Sequence, residues 1–191
     1  MRMLRAPGLA LTAALLACAL AGCSDADGKE AEPEPTATVS VSPSPSEPTE
    51  PTLSTAAKTA DEAGAKAFIA HYWDLVNYAQ QTGDVETLES ITASTCDICN
   101  GFVEDLKELL ASGGRLEGGE NSVEVTATKR INASDPSVLG FQLKTTVAHT
   151  PQVIVDGNGS RDSREAGTMK LIAYVQWIED RRWRLDILDV P

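Results

Sequence analysis

Two cysteines three residues apart, Cys96 and Cys99, are the sharpest chemical feature of this chain. Placed in the first turn of a helix, where partial positive charge lowers a thiol pKa, such a pair can run redox chemistry, ligate a metal or close a disulfide. A redox centre of the thioredoxin kind needs a strand leading into the motif, and here the preceding stretch through Leu88 to Ile91 reads as helix. A metal centre needs further ligands, and His71 and His149 are the only two histidines. No metal and no other cofactor is expected. In an oxidising compartment the favoured reading is a structural disulfide. Acid–base chemistry would need a carboxylate facing a tyrosine or protonated acid in a dry cavity. Tyr72, Tyr78, Tyr174, Asp186 and His149 are the residues of suitable type. Tyr72 falls in the core phase of its helix, Asp186 on the solvent side of its strand and His149 at a strand end, so no catalytic residue is assigned.

The elements that position these residues follow from periodicity. Ala65, Phe68, Ile69, Tyr72, Leu75, Val76 and Ala79 recur at helical spacing, with His71 and Trp73 bordering the apolar stripe and Asp74 pointing away. Gly83 suits a left-handed helix end, and Asp84 suits the cap of a second helix over Val85 to Ile91. Ser94 and Asp97 stand at capping-box spacing before a third helix through Phe102, Val103, Leu106, Leu109 and Leu110, which Gly113-Gly114 stops. The period then switches to two. A lead-in strand is placed near Arg115 to Gly118, then Val123 to Thr128, then Leu139 to His149, continued after Pro151 by Val153 to Val155. A mobile loop starts at Gly157 and gives way to a polar stretch ending near Gly167. Met169 to Glu179 and Arg182 to Val190 form a hairpin, and apolar residues in both phases of Leu171 to Val175 predict a strand covered on both sides. Helices first and strands afterwards, with connections too short for crossovers, predict an α+β fold. Its N-terminal three-helix segment packs on a curved antiparallel sheet of four to five strands.

Composition bounds the partners. Of 191 residues, 28 are acidic and 16 basic, a net charge of -12 that argues against nucleic acid and against electrostatic attachment to anionic lipid. Residues 23–59 are rich in Pro, Ser, Thr and Glu, with prolines at 33, 35, 43, 45, 48 and 51, and read as a disordered tether. Residues 60–191 are the globular part. Arg2 and Arg5 followed by the apolar run Leu9 to Ala21 read as an export signal over 1–22, too short and too interrupted to span a membrane.

That run ends in Leu20-Ala21-Gly22-Cys23, which resembles the lipobox of bacterial lipoproteins. The resemblance implies cleavage after Gly22, a diacylglyceryl group on the Cys23 thiol and an acylated amine, two or three chains that hold the protein at the extracytoplasmic face of the cell membrane. The order of elements is similar to the cone-shaped fold of nuclear transport factor two, ketosteroid isomerase and scytalone dehydratase over about 56–190. More narrowly, Tyr72-Trp73-Asp74, Asn77-Tyr78-Ala79, Thr82-Gly83-Asp84 and Cys96-Asp97-Ile98-Cys99 resemble a family of actinobacterial lipoproteins catalogued as domain of unknown function 6318. The cone fold implies a pocket between the first helix and the concave sheet face, for which Tyr72, Tyr174 and His149 are the expected lining, and it implies a possible homodimer. The expected role is a binding or accessory module of the cell envelope, with an envelope protein or a small apolar ligand as partner. The alternative is an isomerase- or dehydratase-like enzyme using the same pocket.

Overall fold

The element around which the chain is built is α1, Glu62–Thr82, which carries the longest helical apolar stripe of the sequence. Asp61 starts it by accepting a 2.7 Å hydrogen bond from the Gly64 amide. Gly83 ends it at φ 79°, a left-handed conformation that a side chain would strain, while its amide donates to the Ala79 carbonyl. The computed structural model describes residues 47–133, 135 and 137–191. The export signal read at 1–22, the lipid site at Cys23 and the tether as far as residue 46 lie outside the described residues.

After α1 come α2, Glu86–Ser90, and α3, Asp97–Ala111. Seven strands follow among the described residues: β1 Arg115–Gly118, β2 Asn121–Arg130, β3 Leu139–His149, β4 Gln152–Val155, β5 Arg161–Arg164, β6 Gly167–Ile178 and β7 Arg182–Asp189. All pair antiparallel, in a four-stranded sheet of order β2-β3-β6-β7 and a three-stranded sheet of order β1-β4-β5. Breaks in register at Val125/Ala127 and at Tyr174/Val175 put bulges in the larger sheet, the device that bends strands.

The core lies between α1 and one face of the larger sheet. Phe68, Ile69, Tyr72 and Leu75 meet Phe141, Leu143 and Val147 of β3, Leu171, Ala173 and Val175 of β6, and Trp183 and Leu185 of β7. Trp183 stacks edge-on against Trp177 at 5.3 Å and lies 5.9 Å from Phe141. The open edge of β7 is partly covered by Ile91 to Ala93, which exchange two 2.9 Å backbone hydrogen bonds with Leu185 in a one-residue parallel bridge.

The structure revises four expectations. The strand count rises from four or five to seven, because the stretch Val153 to Val155 belongs to a separate sheet and because Arg161–Arg164 pairs with it. That last strand, β5, is exposed at every residue and shows no apolar alternation. The outer phase of β6 is only half-covered: Ile172 and Tyr174 lie opposite the buried Leu171, Ala173 and Val175. Ser94 does not cap α3; Cys96 holds the cap position without a side-chain bond, and Asn100 instead donates to the carbonyls of Ala93 and Ser94. The packed chain also begins before residue 60. Leu53 lies against the core, Ala57 is buried in a 3-10 turn over Ala56–Lys58, and the Thr59 carbonyl accepts a 2.9 Å hydrogen bond from the Trp183 indole. Gly64 permits this, since a side chain there would collide with the Thr59 backbone. Proline content hid the boundary, as it continues through Pro51 into the packed segment.

Candidate functional site

An apolar cavity of about 550 Å³ opens between α1, α3 and the small sheet, beside the sealed core, with which it shares Tyr72, Val76 and Leu171. α1 contributes Trp73, Val76 and Gln80 at steps of three and four, with Tyr72 one turn before Val76. α3 supplies the facing wall. Its apolar stripe is wide enough to serve two purposes: Cys99, Val103 and Leu106 are buried, while Ile98, Phe102 and Leu109 along its other edge face the cavity. Leu116 of β1 and Ile154 of β4 form the floor on the small sheet, and Met169, Leu171, Leu188 and Val190 close the side formed by β6 and the chain after β7. Among the described residues Ile98, Met169 and Val190 are three of the four large apolar side chains left exposed, and all three border this opening. Packed surfaces mostly scatter such residues singly, so their gathering at one opening sets this region apart from the rest of the surface.

The start of α3 is fixed on β7. Thr95 donates a 2.8 Å hydrogen bond to the Asp186 carbonyl, and Cys96 and Cys99 are joined in a disulfide with Cα atoms 5.3 Å apart. Both cysteines are buried, and Cys99 reaches the cavity wall. The expected disulfide is therefore present, and it locks the first turn of α3, the helix that forms one wall of the cavity.

Polar side chains collect at one end, where β2, β3, β4, β5 and β6 come together. Asn77, half-buried on α1, accepts from the Asn121 amide at 2.8 Å and side chain at 3.0 Å and donates back to the Asn121 carbonyl at 2.9 Å. This clamp pins the first residue of β2 at the cavity rim and gives Asn77-Tyr78-Ala79 a structural meaning. Beside it stand Gln80, Gln152, Arg164 and His149. The His149 Nδ1 lies 3.1 Å from the Thr150 carbonyl, which can only accept, so the ring proton sits on Nδ1 and Nε2 is left free. The ring lies over Gly167, its strand partner, where any side chain would collide with Nε2. Arg164 touches Asp162 only at 3.5 Å through Nε.

Of the three residues expected to line a pocket, the structure brings two together. Tyr72 and His149 both line the cavity. Tyr174 does not: it sits on the outer phase of β6, where its hydroxyl accepts a 2.8 Å hydrogen bond from Gln142. The alternation that puts Ala173 and Val175 into the core puts Tyr174 outside. Burial pushes the Tyr72 hydroxyl up to about 12, against a weaker opposing hydrogen bond with Thr92, so it remains a protonated core group. Asp186 accepts a 2.6 Å hydrogen bond from Arg184 on the outer side of β7, away from the cavity. His71 is buried beside α1, its pKa pushed down by desolvation with Asp74 and Glu50 pulling weakly the other way. The charged groups of the lining, Asp105 and Arg164, are both exposed. Among the described residues no three His, Cys, Asp or Glu side chains gather as a metal site, and no helix is long and apolar enough to cross a membrane.

Trp73 was placed on the border of its stripe; it is buried, lines the cavity and has an indole N–H without a partner among the described residues. Gln152, Arg164, Ile98, Met169 and Val190 were not singled out as site residues. The excess width of the α3 apolar stripe was the one signal in the sequence that could have found part of this wall.

Comparison with known proteins gives a family and no activity. A family model described as a family of unknown function (DUF6318) matches residues 42–189. No curated protein matches the chain. Among solved structures, the chain is similar to the intermembrane space region of chloroplast protein ARC6, with TM-score 0.38 and 13% identity over 68% of this chain and 95% of that one. It is similar to a periplasmic fragment of TraM, with TM-score 0.39 and 14% identity over 69% and 98%. A nuclear transport factor 2-like superfamily protein from Salmonella enterica subsp. enterica serovar Typhimurium str. LT2 matches with TM-score 0.36 and 11% identity over 69% and 92%.

Proposed function

The chain belongs to the family of unknown function DUF6318, and because that family brings no activity with it, we propose from the site itself that this is a ligand-binding module of the cell envelope. The observation that carries the reading is the apolar cavity between α1 and α3, with three exposed apolar side chains at its mouth. Ligand sites are mostly apolar hollows of about 300–1,000 Å³ with a few placed polar groups, and this cavity has that size and that make-up. Catalysis would call for desolvated ionisable groups converging on one point. The titratable lining here is Asp105, Arg164, His149 and the protonated Tyr72, with both charged groups exposed, so binding is favoured over isomerase- or dehydratase-like chemistry. The helix-on-sheet arrangement agrees with the cone-shaped fold of nuclear transport factor two.

The same proposal places the module outside the cytoplasm, held at the membrane by acyl chains on Cys23. The Leu20-Ala21-Gly22-Cys23 motif and the preceding export signal support this, and so does a closed Cys96–Cys99 disulfide, which persists in oxidising compartments. Two measurements test the two halves. Mass analysis of the N-terminal peptide from native membranes should find Cys23 as the first residue and carrying lipid; an intact leader or a bare Cys23 would refute the anchor. A neutral apolar fluorophore should brighten on the protein and be displaced in Phe102→Asp; unchanged emission with a folded protein would refute the cavity as a binding site.

A further inference from the structure

The cavity has a polarity along its length, and this deepens the binding proposal, on which it rests. Apolar side chains from α1 and α3 form the body, whereas the polar lining gathers at the end where Arg164 of β5 faces Gln152 of β4 and His149 of β3 lies beside Gly167. The charge at that end is cationic, in a chain whose net charge is -12. Arg164 is free to take a ligand: its single ion pair is the 3.5 Å approach of Nε to Asp162, and its terminal nitrogens have no partner among the described residues. The one acid of the lining, Asp105, lies elsewhere. It shares a second, polar hollow with Asp156 and Gly157, just beyond the opposite end of β4 from Gln152. A guanidinium with unused donors and the donating amides of Gln152 and Gln80 beside an apolar hollow make a head-group site next to a chain site.

We propose that the cavity takes a single-chain anionic amphiphile, its hydrocarbon tail between α1 and α3 and its carboxylate or phosphate head on Arg164, with Gln152 and His149 beside it. Complementary charge selects the anion, and the apolar walls take the tail irrespective of head group. Arg164 and the Gln152 amide hold the head; Ile98 and Phe102 hold the tail.

The test titrates the full-length chain with dodecanoate, dodecyl phosphate and the neutral dodecanol, each below its aggregation limit, and follows emission from Trp73, with Trp73→Phe as the control for signal origin. At least one anion should bind more tightly than dodecanol, and Arg164→Gln should weaken that anion by about three- to ten-fold while leaving dodecanol unchanged. Arg164 is an exposed side chain, so this variant leaves the fold intact. Preference for dodecanoate or for dodecyl phosphate names the head group. Ile98→Asp at the exposed rim should weaken all three. Equal binding of dodecanol and both anions, insensitive to Arg164→Gln, would overturn the head-group assignment and leave the apolar cavity standing. Failure of all three probes to bind a folded protein would overturn the inference together with the binding proposal beneath it.

Discussion

Two neighbouring regions of the buried face of α1 solve different problems with the same helix. Toward the larger sheet, Phe68, Ile69 and Leu75 meet a surface that fills every gap, and Leu143, Ala173 and Leu185 have no exposed area at all. Toward α3, Trp73, Val76 and Gln80 face space that no side chain occupies. The difference lies in what answers the helix. A continuous strand ladder supplies side chains at fixed intervals, and these interdigitate to crystal-like density. α3 is tied to β7 at its start through Thr95, its first turn is locked by the disulfide, and the small sheet meets it near its end, so the wall between stands clear. Stability therefore resides in one half, and the proposed recognition in the other.

That contrast can be broken in order of expected effect. Trp183→Ala in the closed half should cost about 3–5 kcal/mol, since it removes the largest buried side chain and its bond to Thr59, as read by denaturant unfolding. Replacing both Cys96 and Cys99 with Ser should cost about 2 kcal/mol, the low end for so short a loop, and should weaken ligand binding more than Trp73 emission of the free protein changes. Enlarging a side chain sharpens the comparison further, because its sign should depend on the half. Ala173→Leu should destabilise by about 1–3 kcal/mol through overpacking, whereas Leu116→Phe at the cavity floor should stabilise by up to about 1 kcal/mol while reducing binding. Equal signs for the two would mean that the cavity is as tightly packed as the core.

The smallest effect concerns pH. Burial holds the His71 pKa below its ordinary 6.5, so near and below that pH the unfolded chain binds a proton that the folded chain refuses. The contribution of neutral His71 is complete above about 6.5 and is lost progressively as pH falls below it. His71→Gln should flatten the decline of Tm between pH 7 and pH 5; an unchanged slope would show that other groups cause it.

The closed half was legible in the sequence and the open half was not. α1 declared itself because ten of its residues are buried at helical spacing, and β3 and β7 because each presents one apolar face. β5 was missed because Arg161, Asp162, Ser163 and Arg164 carry no pattern at all; only its pairing with β4 makes it a strand. Tyr174 was misplaced because a strand apolar in both phases does not say which phase faces in. The cavity was hidden for a different reason. Its lining comes from α1, α3 and all seven strands, each strand giving one or two residues, so no local motif records it. Cys96 and Cys99 were readable as a disulfide, but not as a lock on the helix that walls the cavity, since that meaning comes from where α3 lies.

The most direct measurement is native mass spectrometry of the protein released gently from its own membranes, with any lipid on Cys23 included in the expected mass. The account predicts extra mass of small-molecule size that is absent from an Ile98→Asp, Phe102→Asp double variant isolated the same way. Protein of the expected mass alone, or the same adduct on the double variant, would contradict the claim that this cavity exists to hold a ligand.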